Sequence, residues 1–474
     1  MPGRGSSPRT ILSNVGWLTL SEVVGRGLTF VALVHLTRTL GPGPMGMVEF
    51  GLSVFALLSL ISVGGIEIVA ARQVARTTAG VGRIAGVALI LGWGSLAGGL
   101  LVLAVFAPSF DHEAPALAVA AGFALASLVT PLTLRFAFLG RERMDLLAVA
   151  SVLGQVTWTI AVFGWIRSAD DVQLAPALWL AGECVRAAVL LTAYSRIFGR
   201  IRRPRWRALK VWVATTVPVT LGRVSRGALY VVDVFILGLF APLAVVGLYG
   251  VALRLPLFAV SVGVMAHHAL FPSVARMVPA GNEAGLGALQ GVAVRAAVSL
   301  GLAATLTLAG SADAFLGTLF GEPYRAAATF MVVLVWRIPL TALSGLYRNV
   351  VWASRPGLEA RLSMLGSAVT VTAAIAATLV FGPLGCAWAM VGGEATLLAL
   401  YLWGARGHAY GLGSWVRVWL PRQALALAGI ALWSWWMPSH GDPVIMASAV
   451  AVGAAAGVFP LLPWLPELRA ALRR

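Results

Sequence analysis

IAGVALILGWGSLAGGLLVLAVFA, residues 84–107, runs for 24 residues without one charged side chain. About 20 mostly apolar residues suffice for an α-helix to cross the hydrocarbon core of a bilayer. Comparable stretches lie near 11–37, 43–68, 114–139, 146–166, 172–195, 211–239, 243–271, 291–320, 325–350, 360–381, 384–404, 418–437 and 443–463. The chain therefore reads as an all-α polytopic membrane protein of about 14 transmembrane helices. Pro421, Pro438, Pro443 and Pro460 crowd the last two spans. A β-barrel does not fit, because the runs are continuous and lack the apolar/polar alternation of barrel strands. Composition agrees: ordinary soluble domains are about half apolar, whereas this chain is 59% hydrophobic and 11% charged.

The net charge of +17 is a matter of topology and not of nucleic-acid binding, because arginine gathers in alternate loops. Arg72, Arg76 and Arg83 follow the second span, and Arg141 and Arg143 follow the fourth. Arg196, Arg200, Arg202, Arg203, Arg205, Arg207 and Lys210 follow the sixth. Arg276, then Arg355 and Arg361, then Arg406, Arg417 and Arg422, and finally Arg469, Arg473 and Arg474 continue the series. The intervening loops carry Asp111, His112 and Glu113, or Asp170 and Asp171, with Arg38, Arg167 and Arg325 as outward exceptions. By the positive-inside rule both termini are cytoplasmic, and the basic excess also suits anionic headgroups. The first apolar run reads as a retained helix and not as a signal peptide. Cys184 and Cys386 fall within spans at no metal-like spacing and imply no disulfide framework. Lys210 is the one lysine among many arginines, which points to a GC-rich, bacterial genome.

After six spans and the basic stretch 196–210, the chain starts again. Thr19-Leu20 corresponds to Thr220-Leu221, Leu40-Gly41-Pro42 to Phe240-Ala241-Pro242, and Val74-Ala75-Arg76 to Val274-Ala275-Arg276, at separations of 200 or 201 residues. This organisation gives a six-helix lobe over 1–200, a second over 201–405, and two further helices with a tail over 406–474. An even number of spans between copies makes them parallel repeats, an arrangement suited to alternating access. No segment reads as a soluble domain, no glycine-rich phosphate loop supplies an ATPase motor, and nothing marks the chain as an enzyme.

Charges within the spans are the candidate functional groups, because an ionised side chain in hydrocarbon is costly and seeks a partner or a wet cavity. Arg223, Arg226, Tyr230 and Asp233 recur at spacings of three, four and three, which on one continuous helix forms a single stripe. The first span carries Glu22 and Arg26 one turn apart. Arg254, Arg337 and Glu394 lie deep in the eighth, tenth and twelfth. In one account these are structural ion pairs, Glu22 with Arg26 and Asp233 with Arg226 or Arg254. In the other, surplus arginine lines a cavity and binds an anion. Arg26, Arg223, Arg226, Arg254 and Arg337 face only Glu22, Asp233 and Glu394, a surplus of two, and planar guanidinium suits a diphosphate. Arg135, Glu183, Arg186, Arg295 and Arg348 lie nearer span ends, where long side chains snorkel. Glu49 and Glu67 flank the second span, and His267 and His268 read as interfacial.

Several segments resemble the polysaccharide-biosynthesis (Wzx-type) flippases of the multidrug/oligosaccharidyl-lipid/polysaccharide exporter superfamily. They are Leu36-Thr37-Arg38-Thr39-Leu40-Gly41-Pro42 with Met45-Gly46, then Gly64-Gly65-Ile66 and Ala70-Ala71-Arg72. Asp233-Val234-Phe235-Ile236-Leu237-Gly238, Val246-Gly247-Leu248-Tyr249-Gly250-Val251-Ala252, Leu270-Phe271-Pro272 and Phe381-Gly382-Pro383-Leu384-Gly385-Cys386-Ala387 complete the pattern over residues 10 to 405. The resemblance implies transfer of an undecaprenyl-diphosphate-linked oligosaccharide from the cytoplasmic to the periplasmic leaflet, for O-antigen, capsule or exopolysaccharide assembly. It also implies a cationic cavity, coupling to an H+ or Na+ gradient with no other cofactor, and a setting among membrane lipids, polysaccharide polymerase and glycosyltransferases. The chain departs from the family in lacking a well-placed lysine in its second half. A peptidoglycan lipid-precursor flippase or a drug/cation antiporter of the same superfamily are the near alternatives. An integral-membrane transferase is the alternative of another class, with Asp170-Asp171 as its acidic pair.

Overall fold

The computed structural model describes residues 8–77, 80–106, 113–204 and 206–407, and every regular element among them is helical. In order these are α1 (Pro8–Leu40), α2 (Pro42–Arg76), α3 (Val81–Phe106), α4 (Ala114–Ala126), α5 (Arg135–Gly140), α6 (Met144–Trp165), α7 (Ala175–Phe198) and α8 (Trp206–Ala228). There follow α9 (Val232–Phe240), α10 (Leu243–Met277), α11 (Glu283–Gly310), α12 (Ala312–Phe320), α13 (Ala328–Leu334), α14 (Arg337–Ser354) and α15 (Pro356–Gly404). Nine helical segments among the described residues are long and apolar enough to cross a membrane. One of them, α15, is two helices merged across a kink at Gly382, whose φ of 69° suits glycine. The spans read at 418–437 and 443–463 lie outside the described residues.

Burial runs as a bilayer protein requires. Leu101, Ile160, Leu379, Val380 and Phe381 point outward, while Ser62, Thr305, Ser344 and Thr370 are buried. Lipid tails are as apolar as leucine, so helix association rests on close packing of small residues and on interhelical hydrogen bonds.

The chain divides into two compact units, Met1–Leu239 and Phe240–Arg474. In the first, α2 packs on α3, α4, α5 and α8, and α6 packs on α1 and α7. In the second, α14 packs on α10, α11 and α15, and α13 on α10 and α15. The seventh span, formed by α8 and α9, packs on α2 and belongs to the first unit, whereas the sequence repeat starts its second copy there. The reason is local. A Cβ on Gly65 would collide with the side chain and backbone of Thr220, and one on Gly238 with the Phe50 ring. The linker 200–204 is docked too. The Arg202 amide donates to the Gly82 carbonyl at 2.9 Å, and a Cβ on Gly82 or Gly86 would strike the Arg200 or Arg202 carbonyl oxygens.

Four spans that read as continuous helices are broken among the described residues. The fourth passes from α4 into a 3-10 segment, Ser127–Thr133, containing Pro131, and then through Leu134 at φ 46° into α5. The seventh is interrupted at 229–231, the ninth at Ser311 and the tenth at 335–336. Freed backbone groups cannot be left bare in hydrocarbon, and side chains meet them. The Trp93 indole donates to the Leu128 carbonyl at 3.1 Å, and the Thr305 hydroxyl to the Val335 carbonyl at 3.0 Å.

Gly65→Ala is expected to loosen the α2–α8 contact and cost about 1–3 kcal/mol of stability, the usual range for overpacking. Gly94, with nothing within 4 Å of an added Cβ, is the control. Thermal unfolding in detergent should show a lowered midpoint for the first substitution and an unchanged one for Gly94→Ala.

Candidate functional site

In the first unit, the break at 229–231 divides the stripe expected on the seventh span. Arg223 and Arg226 share α8, Tyr230 sits in the turn, and Asp233 stands in the first turn of α9. The Tyr230 and Val231 amides donate to Gly227 and Ala228 at 3.3 and 2.9 Å, a tight turn that re-aims everything beyond it. A uniform helical pitch therefore does not relate the four side chains. Arg223 is exposed, Arg226 and Tyr230 are half-buried, and Asp233 is fully buried, with its Oδ1 accepting from the Val234 amide at 3.0 Å. Arg26, on α1, is exposed. The Glu22 side chain lies outside the described residues.

What the structure brings to Arg223 is Glu67. Gly64 and Gly65 let α8 approach α2 closely, placing Arg223 Nη1 3.9 Å from Glu67 Oε2. From the other side the broken fourth span delivers Arg135, the first residue of α5, with Nε 3.2 Å from Glu67 Oε1. Both guanidiniums are about half exposed, at 46% and 48%, whereas Glu67 is 12% exposed. A pocket of about 20 Å3 beside the pair, lined by Glu67, Pro131, Thr133 and Arg135 among others, has room for about one water. On α7, Arg186 pairs with the buried Glu183 at 3.1 Å, and Arg135 also acts electrostatically on Glu183. Arg223, Glu67, Arg135, Glu183 and Arg186 thus form a run of intramembrane charge with a net +1.

Span-end position suggested that Arg135, Glu183, Arg186 and Arg348 simply reach for the interface; the structure gives each a specific partner instead. Sequence did hold one signal for Arg135, the Pro131 four residues before it, which marks a break in the span.

In the second unit, Arg337 opens α14 directly after the tenth-span break and is 2% exposed. Arg254 is half-buried on α10. Glu394, on the later part of α15, is 4% exposed, and its Oε2 accepts no hydrogen bond. His267 is buried: its Nε2 is 2.7 Å from the Ala342 carbonyl, and the Asn349 amide donates to the His267 carbonyl at 2.9 Å. Both contacts tie α10 to α14. Arg348 donates to Glu359 at 2.6 Å, Glu359 accepts from Ser363 at 2.9 Å, and Ser363 meets the Tyr401 hydroxyl at 2.6 Å. A cavity of about 590 Å3 between α10, α11 and α14, walled by Phe258, Gly263, Ala296, Leu300 and Ala342 among others, is almost wholly apolar and offers no charge to an anion.

Asp171, half of the acidic pair Asp170-Asp171, is engaged in capping. Its Oδ2 accepts from the Arg167 and Ser168 amides at 2.9 and 2.8 Å and from the Ser168 hydroxyl at 3.1 Å. Among the described residues no group of three or more His, Cys, Asp or Glu side chains could hold a metal ion.

With this geometry in place, comparison with known proteins is informative. The family described as "Polysaccharide biosynthesis protein" matches residues 11–278. A relative from Haloferax volcanii, described as a probable low-salt glycan biosynthesis flippase, Agl15, is 21% identical over 429 residues, covering 87% of each chain. Among solved structures, the fold is similar to that of the lipid II flippase MurJ in an inward closed conformation. The TM-score is 0.77 at 10% identity, over 95% of this chain and 99% of that one. It is also similar to an inward-facing multidrug resistance MATE family transporter of the MOP superfamily, with a TM-score of 0.61 at 18% identity, over 81% and 94% of the two chains. At these identities the likeness is one of fold.

Thr305→Val should remove the side-chain bond that satisfies the Val335 carbonyl at the tenth-span break. A loss of about 1 kcal/mol is expected, the typical net worth of one such bond. Urea or thermal unfolding of the purified protein measures it; Thr215→Val, on an exposed face of α8, should have a much smaller effect.

Proposed function

The chain belongs to the polysaccharide biosynthesis protein family, and from that premise we propose that it flips an undecaprenyl-diphosphate-linked oligosaccharide across the bacterial cytoplasmic membrane. The observation that carries this reading is the family match over more than half of a multi-pass helical chain. A flippase among the relatives and the exporter-type fold support it. Alternating access supplies the route, with both termini in the cytoplasm. The diphosphate pairs with guanidinium groups drawn from Arg26, Arg223, Arg226, Arg254 and Arg337, and Tyr230 donates a further hydrogen bond. Arginine is suited to this because its planar fork can meet two phosphate oxygens at once.

Net movement needs a difference in affinity between the two exposed states. Asp233, Glu22 and Glu394 are the carboxylates proposed to supply it, by exchanging an H+ or Na+ as the arginines gain and lose substrate. The proposed partners are the lipid-linked sugar, surrounding lipids, and the polymerase and glycosyltransferases that use and make it. A lipid-linked peptidoglycan precursor, whose headgroup is also a diphosphate, is the second reading, favoured by the 0.77 TM-score to the lipid II flippase. A cationic drug is disfavoured by the surplus of arginine.

Replacement of Arg223 and Arg226 together by alanine should reduce export by roughly tenfold or more, since each charge-assisted contact is worth about 1.5–3 kcal/mol. Lipid-linked sugar should accumulate and surface polysaccharide should fall. Normal surface polysaccharide, with the variant present in the membrane at wild-type level, would sink the proposal.

A further inference from the structure

Glu67 stands between two arginines without being locked to either. Its Oε1 is buried and makes no hydrogen bond although Arg135 Nε is 3.2 Å away, and the 3.9 Å separation from Arg223 lies beyond hydrogen-bond reach. These are loose ion pairs, and ion pairs to half-exposed arginines are worth little. A phosphate that approached the exposed guanidinium faces could offer each of them the parallel two-bond geometry that Glu67 does not. A sodium ion would be repelled by the same two charges.

The position is not an accident of one helix. Arg135 is the first residue after the fourth-span break, and Arg337 is the first residue after the tenth-span break, 202 residues later. That separation falls one residue from the 200 or 201 of the sequence repeat. Interrupted helices at matching positions of two halves are the places where transporters bind their ligands. Leu134 adds a backbone observation. It holds a left-handed φ of 46° while its side chain is buried, a conformation that costs energy for a branched residue and persists where the surroundings enforce it. The turn is what aims Arg135 at Glu67.

We propose that Arg135 and Arg223 form a phosphate-oxyanion site in the first unit, and that Glu67 is its exchangeable counter-charge, holding the site when it is empty and giving way when the anion arrives. Glu67 lies nine residues before the end of α2 at Arg76, about 13 Å along the helix at 1.5 Å per residue. On the transport reading, the anion met there is the diphosphate of a prenyl lipid. Only this identification of the lipid rests on the transport reading; the oxyanion site stands on the geometry alone.

The test is calorimetric binding of inorganic pyrophosphate to the purified full-length protein in detergent, with a short-chain prenyl diphosphate as competitor. Glu67→Gln keeps the shape and removes the competing charge, so pyrophosphate should bind about fivefold more tightly, the scale of one half-exposed ion pair. Arg135→Gln should weaken binding about tenfold, and Arg135→Lys, which keeps the charge but not the fork, should fall between. Arg143→Ala, in a loop pair with Asp145, should leave binding as it was. Unfolding midpoints within a few degrees of wild type qualify each variant, and Arg135→Lys serves if Arg135→Gln fails to fold. Unchanged or weaker binding in Glu67→Gln would overturn the proposal, because the carboxylate would then be a structural tie. Equal losses from Arg143→Ala and Arg135→Lys would also overturn it, since any surface arginine would then do. Displacement of pyrophosphate by the prenyl diphosphate supports the lipid as source, and failure to displace it overturns that source. A transport defect without these binding changes would leave the export proposal standing and this one refuted.

Discussion

Backbone hydrogen bonding is the constraint on which the rest depends. Within hydrocarbon each N–H and C=O must find a partner inside the protein, so an uninterrupted helix is the default and every interruption has to be compensated. Three of the four broken spans are compensated differently. Trp93 meets the carbonyl of Leu128 in the fourth and Thr305 that of Val335 in the tenth. The seventh tightens into a turn whose amides still reach Gly227 and Ala228. Arg135, Arg337 and the pair Tyr230 and Asp233 occur at or just beyond these breaks. These four chemistry-bearing side chains thus stand where helical geometry has been given up.

The same economy shapes helix packing. Many polar groups buried in the units are hydroxyls that return to their own helix, such as Thr216 to Trp212 and Thr370 to Gly366, and glycines then allow neighbouring backbones to touch. Arginine is handled otherwise. Arg348 is tied into a chain with Glu359, Ser363 and Tyr401, whereas Arg135 and Arg223 share one loosely placed carboxylate. The first arrangement stiffens the fold, and the second leaves donors for something else.

Much of the fold was legible in the sequence. Apolar run length placed the helices, because a bilayer imposes one length and one solvent on all of them. The kink at Gly382 fell between two spans already separated by Gly382-Pro383. Partners of the charges were much less accessible. Arg223, Arg226, Tyr230 and Asp233 form one stripe only on a continuous helix, and nothing in the residues 229–231, Leu-Tyr-Val, signals a break. The partners of Glu67 come from the fourth and seventh spans, and sequence spacing reports only on neighbours within a helix.

The docked stretch 200–204 bears on how the protein can be handled. A basic, proline-containing connector invites insertion of a fluorescent tag or a cut into two co-expressed pieces. Here its carbonyls rest on Gly82 and Gly86 and its backbone bonds to α3, so foreign sequence would pry a strap from the helix beneath it. Complementing fragments would be parted more safely after Leu239, where one compact unit ends and the next begins.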